Sequence, residues 1–207
     1  MKRAYKIAIV AGIVVAAAGI AAYFINKSSF NPNPKYELGQ PLDSLNGVMV
    51  CYNGMVGHTD GRNTAPDGYN IGMKYQCVEF VKRYYYLRLG HKMPDAFGNA
   101  KDFYYATLAD STFNTKRGLM QYSNCSKSQP QSEDLLIFDG HKGNPYGHVA
   151  IVAWVTDSNL CIIQQNPGPF ASSRDTFGLV HANNKWTIQH LRALGWLRKV
   201  VDTALNN

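Results

Sequence analysis

Cys77 is the residue of this chain whose position most clearly suggests covalent chemistry. It follows a loop rich in Gly, Asn, Asp and Pro, and it opens a segment in which apolar residues recur at three- and four-residue steps up to Gly90. This pattern predicts a helix that a glycine caps, and Glu79, four residues before Arg83, supports the same helix. The unpaired N–H groups and the dipole at a helix N-terminus favour a thiolate over a thiol. The sequence therefore predicts a nucleophilic cysteine in the first helical turn.

A histidine that could serve as the base lies at the start of a predicted strand. Residues 146–155 form a β-branched, apolar run with His148 near its beginning, and residues 160–166 form a second run after a short turn. We predict that the two runs pair as antiparallel strands. Since side chains alternate along a strand, Gln164 and Asn166 then share one face, and an amide oxygen on the face of His148 would fix the imidazole tautomer. The predicted site is a cysteine nucleophile, a histidine base and an orienting amide.

The motifs around these residues resemble those of a known family. They are Gly72-x-Lys74-x-Gln76-Cys77-Val78-Glu79-Phe80-x-x-Arg83, Gly147-His148-Val149-Ala150-Ile151, Gln165-Asn166 and Leu194-Gly195-Trp196. Together they are similar to the CHAP domain (cysteine, histidine-dependent amidohydrolase/peptidase) of the papain-like group. The greatest similarity is to the amidase half of bacterial glutathionylspermidine synthetase/amidase. The resemblance runs from about residue 42 to residue 199.

This resemblance implies a fold, a reaction and a set of site residues. The fold would be α+β and papain-like, with helices packed on an antiparallel β-sheet. The reaction would be amide hydrolysis through an acyl-enzyme on Cys77, without a cofactor. The backbone N–H of Cys77 and the side chain of Gln76 would stabilise the oxyanion. Where the family has a glutamate as third residue this chain has Gln164, which brings no charge, so Asn166 is a rival for orienting His148.

The first 27 residues predict a membrane segment. Three basic residues precede an apolar run over residues 7–24, which is near the minimum length for crossing a bilayer. We predict an uncleaved anchor, with a cleaved signal as the alternative. Either way the rest of the chain lies on the periplasmic or extracellular side of a bacterial plasma membrane, and it is secreted if the segment is cleaved. The predicted organisation is an anchor or signal at 1–27, a linker at 28–41, the CHAP-like domain at 42–200 and a tail at 201–207.

Location and charge narrow the substrate. Outside the membrane segment the chain carries 17 basic and 14 acidic side chains, which is too balanced to predict nucleic-acid binding. We expect an amide substrate in peptidoglycan peptides. A glutathionylspermidine-type amidase is one alternative, and a catalytically weak CHAP-like binding module is the other.

The remaining expectations concern local structure. We predict a second helix over residues 99–108, irregular chain over 110–132, and loops over 53–75 and 167–184. The first loop carries oxygen side chains but lacks the spacing of a calcium site. Cys51, Cys125 and Cys161 could form a disulfide outside the cytoplasm, or remain free.

Overall fold

The computed structural model describes residues 2–27 and 30–200. Helix α1 spans Lys2–Lys27, and its stretch Tyr5–Ile25 is long and apolar enough to cross a membrane or to act as a signal sequence. The predicted apolar run over 7–24 falls inside it. The predicted tail over 201–207 lies outside the described residues.

An antiparallel sheet of eight strands forms the centre of the remaining chain. Its strands in chain order are β5 (Thr112–Asn114), β6 (Leu119–Ser123), β7 (Leu135–Phe138), β8 (His148–Val155), β9 (Asn159–Ile163), β10 (Arg174–Ala182), β11 (Lys185–Ile188) and β12 (Ala193–Arg198). Their order across the sheet is β11-β10-β9-β8-β7-β12-β6-β5. Two hairpins lie outside it: β1 (Pro41–Leu45) with β2 (Val48–Cys51), and β3 (Arg62–Thr64) with β4 (Asn70–Met73).

Helix α2 spans Cys77–Leu89 and packs on one face of this sheet. It ends at Gly90, which takes the left-handed conformation (φ 59°) and donates its N–H to the Tyr85 carbonyl, as predicted for a glycine cap. Its apolar side buries Phe80, Val81 and Tyr85 against strands β7, β8 and β12. A second cluster, which includes the fully buried Trp196, fills the opposite face. The chain is thus a mixed α/β, sheet-rich fold with few helices, whereas a papain-like arrangement of helices stays a prediction.

The predicted second helix is wrong. A 3₁₀ turn at Lys101–Phe103 is the helical part of residues 99–108, and Tyr104 is already extended. Buried side chains form hydrogen bonds with the backbone N–H and C=O groups that would pair with one another in a helix. Gln121 bonds both the N–H and the carbonyl of Tyr105, and Asn114 Nδ2 donates to the carbonyl of Phe103. These long-range hydrogen bonds favour the irregular chain over local helix formation.

Three segments predicted as irregular contain strands. Residues 53–75 hold the hairpin β3–β4, residues 110–132 hold β5 and β6, and residues 167–184 hold β10, which pairs with β9. These strands lie at the surface or near the edges of the sheet, so their sequences are polar and lack the apolar pattern from which strands were predicted. The strand predicted around His148 is present, and it pairs in antiparallel orientation with β9, as predicted.

Part of the predicted linker contacts the domain. Asn33 Nδ2 donates to the Pro169 carbonyl at 2.9 Å, and the Tyr52 hydroxyl donates to Asn31 Oδ1 at 2.9 Å. The rings of Tyr36 and Tyr52 also lie against each other. Residues 31–36 are therefore attached to the end of β2 and to the chain that follows β9.

Candidate active site

The chain positions Cys77 as the first residue of α2. Gln76 precedes it in extended conformation (φ −82°, ψ 156°), so the backbone turns into the helix at the cysteine. Strand β4 approaches the same turn closely, since a Cβ at Gly72 would lie 3.1 Å from Glu79 Cα, and Gly72 has a φ of 139°. A glycine is required at this position of the motif by both its conformation and its contact.

The thiol of Cys77 lies against strand β8. The backbone N–H groups of Val149, Val78 and Cys77 itself face the sulfur, and these contacts lower its pKa. Burial acts in the other direction and prevails, so the pKa of the Cys77 thiol is raised above its ordinary value of 9.0. The residue retains partial exposure, although its surroundings desolvate the sulfur. The sequence predicted a favoured thiolate, whereas the structure favours a resting thiol.

His148 begins β8 and is therefore the neighbour of Val149. Gly147 before it has a φ of 76°, and a Cβ there would lie 2.5 Å from the Phe138 carbonyl oxygen. His148 Nε2 lies 2.9 Å from Gln164 Oε1. Because an amide oxygen can accept but not donate, this contact places the proton on Nε2 and leaves Nδ1 as the basic nitrogen. Burial, partly offset by Gln164, lowers the pKa of His148 to about 4.

Of the two amides that competed for the orienting position, Gln164 contacts the histidine. Strand β9 ends at Ile163, and Gln164 continues it by donating its backbone N–H to the Ser173 carbonyl. Asn166 takes a left-handed conformation (φ 57°), so the expected alternation of strand faces does not reach it. Its Nδ2 donates instead to Gln76 Oε1 at 2.8 Å and to the Val56 carbonyl at 2.9 Å.

The side-chain amide of Gln76 is bonded to loop carbonyls and is not free to donate to an oxyanion. Its Nε2 donates to the His58 carbonyl at 2.6 Å and to the Val56 carbonyl at 3.2 Å. Both amide protons are therefore engaged by the loop after β2. As the side chain stands, the backbone N–H of Cys77 is the better placed donor of the two that the sequence suggested.

A buried polar network behind the site was not predicted as such. Glu79 is 3% exposed, and its carboxylate accepts hydrogen bonds from Asn63 Nδ2 (2.7 Å), Arg83 Nε (2.7 Å) and Gln165 Nε2 (2.8 Å). Gln165 also donates to the Gln76 carbonyl at 3.0 Å. The network thus joins β3, α2 and the end of β9. The sequence offered one signal for it, the Glu79–Arg83 spacing, but that spacing indicated a helix pair and not a buried charge.

The remaining cysteines and the side chains that could bind a metal form neither a disulfide nor a metal site in the described part of the chain. All four cysteines are free thiols, so the disulfide that the sequence left open is not formed. Among residues 2–27 and 30–200, no three His, Cys, Asp or Glu side chains lie together in a way that could hold a metal ion.

The chain is similar in sequence to known proteins. Residues 67–166 match the family model of the CHAP domain, so the resemblance to a CHAP domain that the sequence motifs indicated is confirmed. The chain is 27% identical over 164 residues to trypanothione synthetase of Crithidia fasciculata, covering 77% of this chain and 25% of that protein. It is 28% identical over 143 residues to the bifunctional glutathionylspermidine synthetase/amidase of Escherichia coli (strain K12), covering 64% and 23%. The chain spans about a quarter of the length of these relatives.

One solved structure is similar over a shorter stretch. The crystal structure of Ly7917 with the hydrolyzing product of MDP is 26% identical, covers 36% of this chain and 30% of its own, and has a TM-score of 0.27. A superposition of this extent carries no argument about fold or activity.

Proposed function

We propose that this chain is a cysteine-dependent amide hydrolase, with Cys77 as nucleophile, His148 as base and Gln164 as the residue that orients the base. The observation that carries the proposal is the 2.9 Å contact between His148 Nε2 and Gln164 Oε1. This contact leaves Nδ1 of His148 unprotonated. The next residue in the strand is Val149, and its backbone N–H faces the Cys77 thiol. A nucleophile, a base and an orienting group are the minimum that covalent amide hydrolysis requires. The CHAP match and the amidase named among the relatives support the same class of reaction.

The reaction begins from a neutral pair. The raised pKa of Cys77 and the lowered pKa of His148 both favour a thiol and a neutral imidazole at neutral pH. As the sulfur attacks the carbonyl carbon, its proton passes to Nδ1 of His148. The oxyanion takes the backbone N–H of Cys77, and Gln76 adds a second hydrogen bond if its amide leaves the loop carbonyls.

Breakdown then follows in two steps. His148 returns its proton to the leaving amine as the carbon–nitrogen bond breaks, which leaves a thioester on Cys77. A water molecule attacks the thioester while His148 accepts one of its protons, and the carboxylic acid departs as the thiol is restored. The cycle needs no cofactor and no net change in charge.

The substrate that we propose is a peptidoglycan peptide. Helix α1 supports an anchored or exported protein. We place the domain over residues 42–200 on the outer side of the membrane and give it a papain-like fold, as the sequence predicts. Cell-wall peptides are the abundant amides there. A glutathionylspermidine-type amidase is the second candidate, because one of the relatives bears that name. Finding the mature domain in the cytoplasm would favour this second candidate.

Hydrolysis by the full chain in detergent micelles tests the proposal. We expect release of new amino groups from peptidoglycan fragments by the wild type, and a loss of at least about 100-fold in Cys77→Ala and His148→Ala. Cys125→Ser, which alters an exposed free thiol, is the matched control and retains activity. Equal rates in Cys77→Ala and the wild type would refute the mechanism, and binding without turnover would favour the binding module.

A further inference from the structure

A cavity of about 380 Å³ opens beside the orienting residue of the site. Gln164 and Asn166 line one side of it, the end of β2 at Cys51–Asn53 lines another, and the chain over 167–173 closes it. The cavity therefore begins where the contact to His148 ends. Neither Cys77 nor His148 is among the described residues that line it, so a substrate bound there would extend beyond the reacting atoms.

Two buried amide oxygens at this cavity lack hydrogen-bond donors. Within the described part of the chain, Asn53 Oδ1 and Asn166 Oδ1 are closed to solvent and have no partner. Asn53 is 2% exposed and Asn166 is 9% exposed, and both residues line the cavity. Their amide nitrogens are already engaged, Asn53 Nδ2 by the Met55 and His58 carbonyls. A buried acceptor without a donor destabilises the protein, so a ligand that supplies N–H groups to these oxygens gains by binding.

The charge of the cavity limits what such a ligand can be. Among the described residues that line it, none carries a carboxylate, and Lys35 carries the one full charge. Asp43 reaches the rim through Ser173 Oγ at 2.9 Å, but its carboxylate is paired with Arg174 at 2.8 Å. A polycation would therefore meet a positive charge and no free negative one. A neutral or anionic donor fits better.

We propose that this cavity is a substrate subsite for a peptide segment that ends in a carboxylate. Backbone N–H groups of the peptide donate to Asn53 Oδ1 and Asn166 Oδ1, and the carboxylate faces the Lys35 ammonium. The subsite rests on the proposed amide hydrolysis and deepens it. It selects peptide substrates over polyamine amides by charge.

Binding to a variant that cannot turn over tests the subsite. The probe is N-acetyl-D-alanyl-D-alanine, titrated by ligand-observed NMR into full-chain Cys77→Ala in detergent micelles. We expect the C-terminal carboxamide of the probe to bind roughly 3–5-fold more weakly, as is typical of an exposed ion pair. Methylation of the amide nitrogens should weaken binding by about 10-fold or more, because the buried oxygens lose their donors. Spermidine should not displace the probe.

A lysine variant assigns the charge effect. In Cys77→Ala, the further change Lys35→Gln should bring the affinity for the acid down to that for the carboxamide, without changing the latter. Lys116→Gln is the matched control, since Lys35 and Lys116 are both exposed and each lies over a tyrosine ring. Equal affinities of Lys35→Gln and its parent for the acid, no binding of the probe at 10 mM (roughly −3 kcal/mol or weaker), or displacement by spermidine would each overturn the subsite.

The two proposals fail separately. If the wild type hydrolyses amides but probe binding ignores Lys35, the subsite is wrong and the reaction stands. If Cys77→Ala binds the probe with the expected dependence on Lys35 but the wild type hydrolyses no amide, the reaction is wrong and a peptide-binding cavity remains.

Discussion

Replacing Gln164 with glutamate tests how the third residue sets the protonation of the site. In the protein the ring of His148 contacts a neutral amide at 2.9 Å, and its pKa is lowered to about 4. A carboxylate in the same place would put a full negative charge beside the imidazolium. The substitution therefore restores the residue type that the family resemblance leads us to expect, and we expect it to raise the pKa of His148.

The size of the effect follows from Coulomb's law. Two unit charges about 4 Å apart interact by roughly 4 kcal/mol at an effective dielectric constant of about 20, which equals about 3 pKa units. Desolvation of the new carboxylate reduces this gain, as does the loss of the hydrogen bond from Gln164 Nε2 to the Ser172 carbonyl. We therefore expect the pKa of His148 to rise by roughly 1–3 units, to about 5–7.

Two measurements check this prediction in the full chain. An NMR titration of the histidine ring protons gives the pKa of His148 directly. The rate of iodoacetamide alkylation at Cys77 should be slow below pH ~8.5 in the wild type, where the thiol is neutral, and faster in Gln164→Glu, where an ion pair becomes populated. Gln131→Glu adds the same charge at an exposed position and is the control. A pKa that stays near 4 in Gln164→Glu would refute the reasoning.

Three further predictions concern the support of the site. Gly147→Ala should reduce the rate of amide hydrolysis at least about 10-fold, because the new Cβ would displace His148. Gly47→Ala is the control and should retain activity, since Gly47 also has a positive φ but open space where the new Cβ would lie. Equal rates in the two variants would contradict the steric argument. Glu79→Ala should lower the free energy of unfolding by about 3–5 kcal/mol, since it leaves its buried partners without an acceptor. Lys92→Gln, which breaks an exposed pair, should change it far less, and urea titrations of the two variants compare the effects. The pKa of His148 falls from 6.5 to about 4 on folding, so the unfolded state binds the proton first as the pH is lowered. The free energy of unfolding should therefore decrease between pH 6.5 and about pH 4, by at most about 3 kcal/mol. Urea titrations over this pH range measure the decrease, which His148→Gln should remove.

The sequence by itself predicted the helix and the strand on which the proposed site residues lie. The helix from Cys77 and the strand from His148 follow from periodicity within one segment, which short-range side-chain order determines. Periodicity of this kind needs no knowledge of what packs against the segment. The collisions that require glycine at positions 72 and 147 are with other elements and were visible only in the structure.

The tertiary structure decided which amide meets the histidine. Both Gln164 and Asn166 suit the role by residue type, but the left-handed turn at Asn166 sends its side chain to Gln76. In that turn the Asn166 side chain also donates to the carbonyl of Val56, which lies 110 residues earlier in the chain. The alternation of side chains along a strand carries no information about such a distant contact. The buried partners of Glu79 were not predicted for the same reason.

The direction of the pKa shift at Cys77 was also decided by packing. The helix N-terminus is visible in the sequence and argues for a thiolate. Desolvation depends on how closely β8 and its neighbours surround the sulfur, and it outweighs the N–H contacts from Val149 and Val78. The sequence therefore identified the side chains that we propose as reactive, and the packed structure determined their resting charge, because burial is a property of the whole fold.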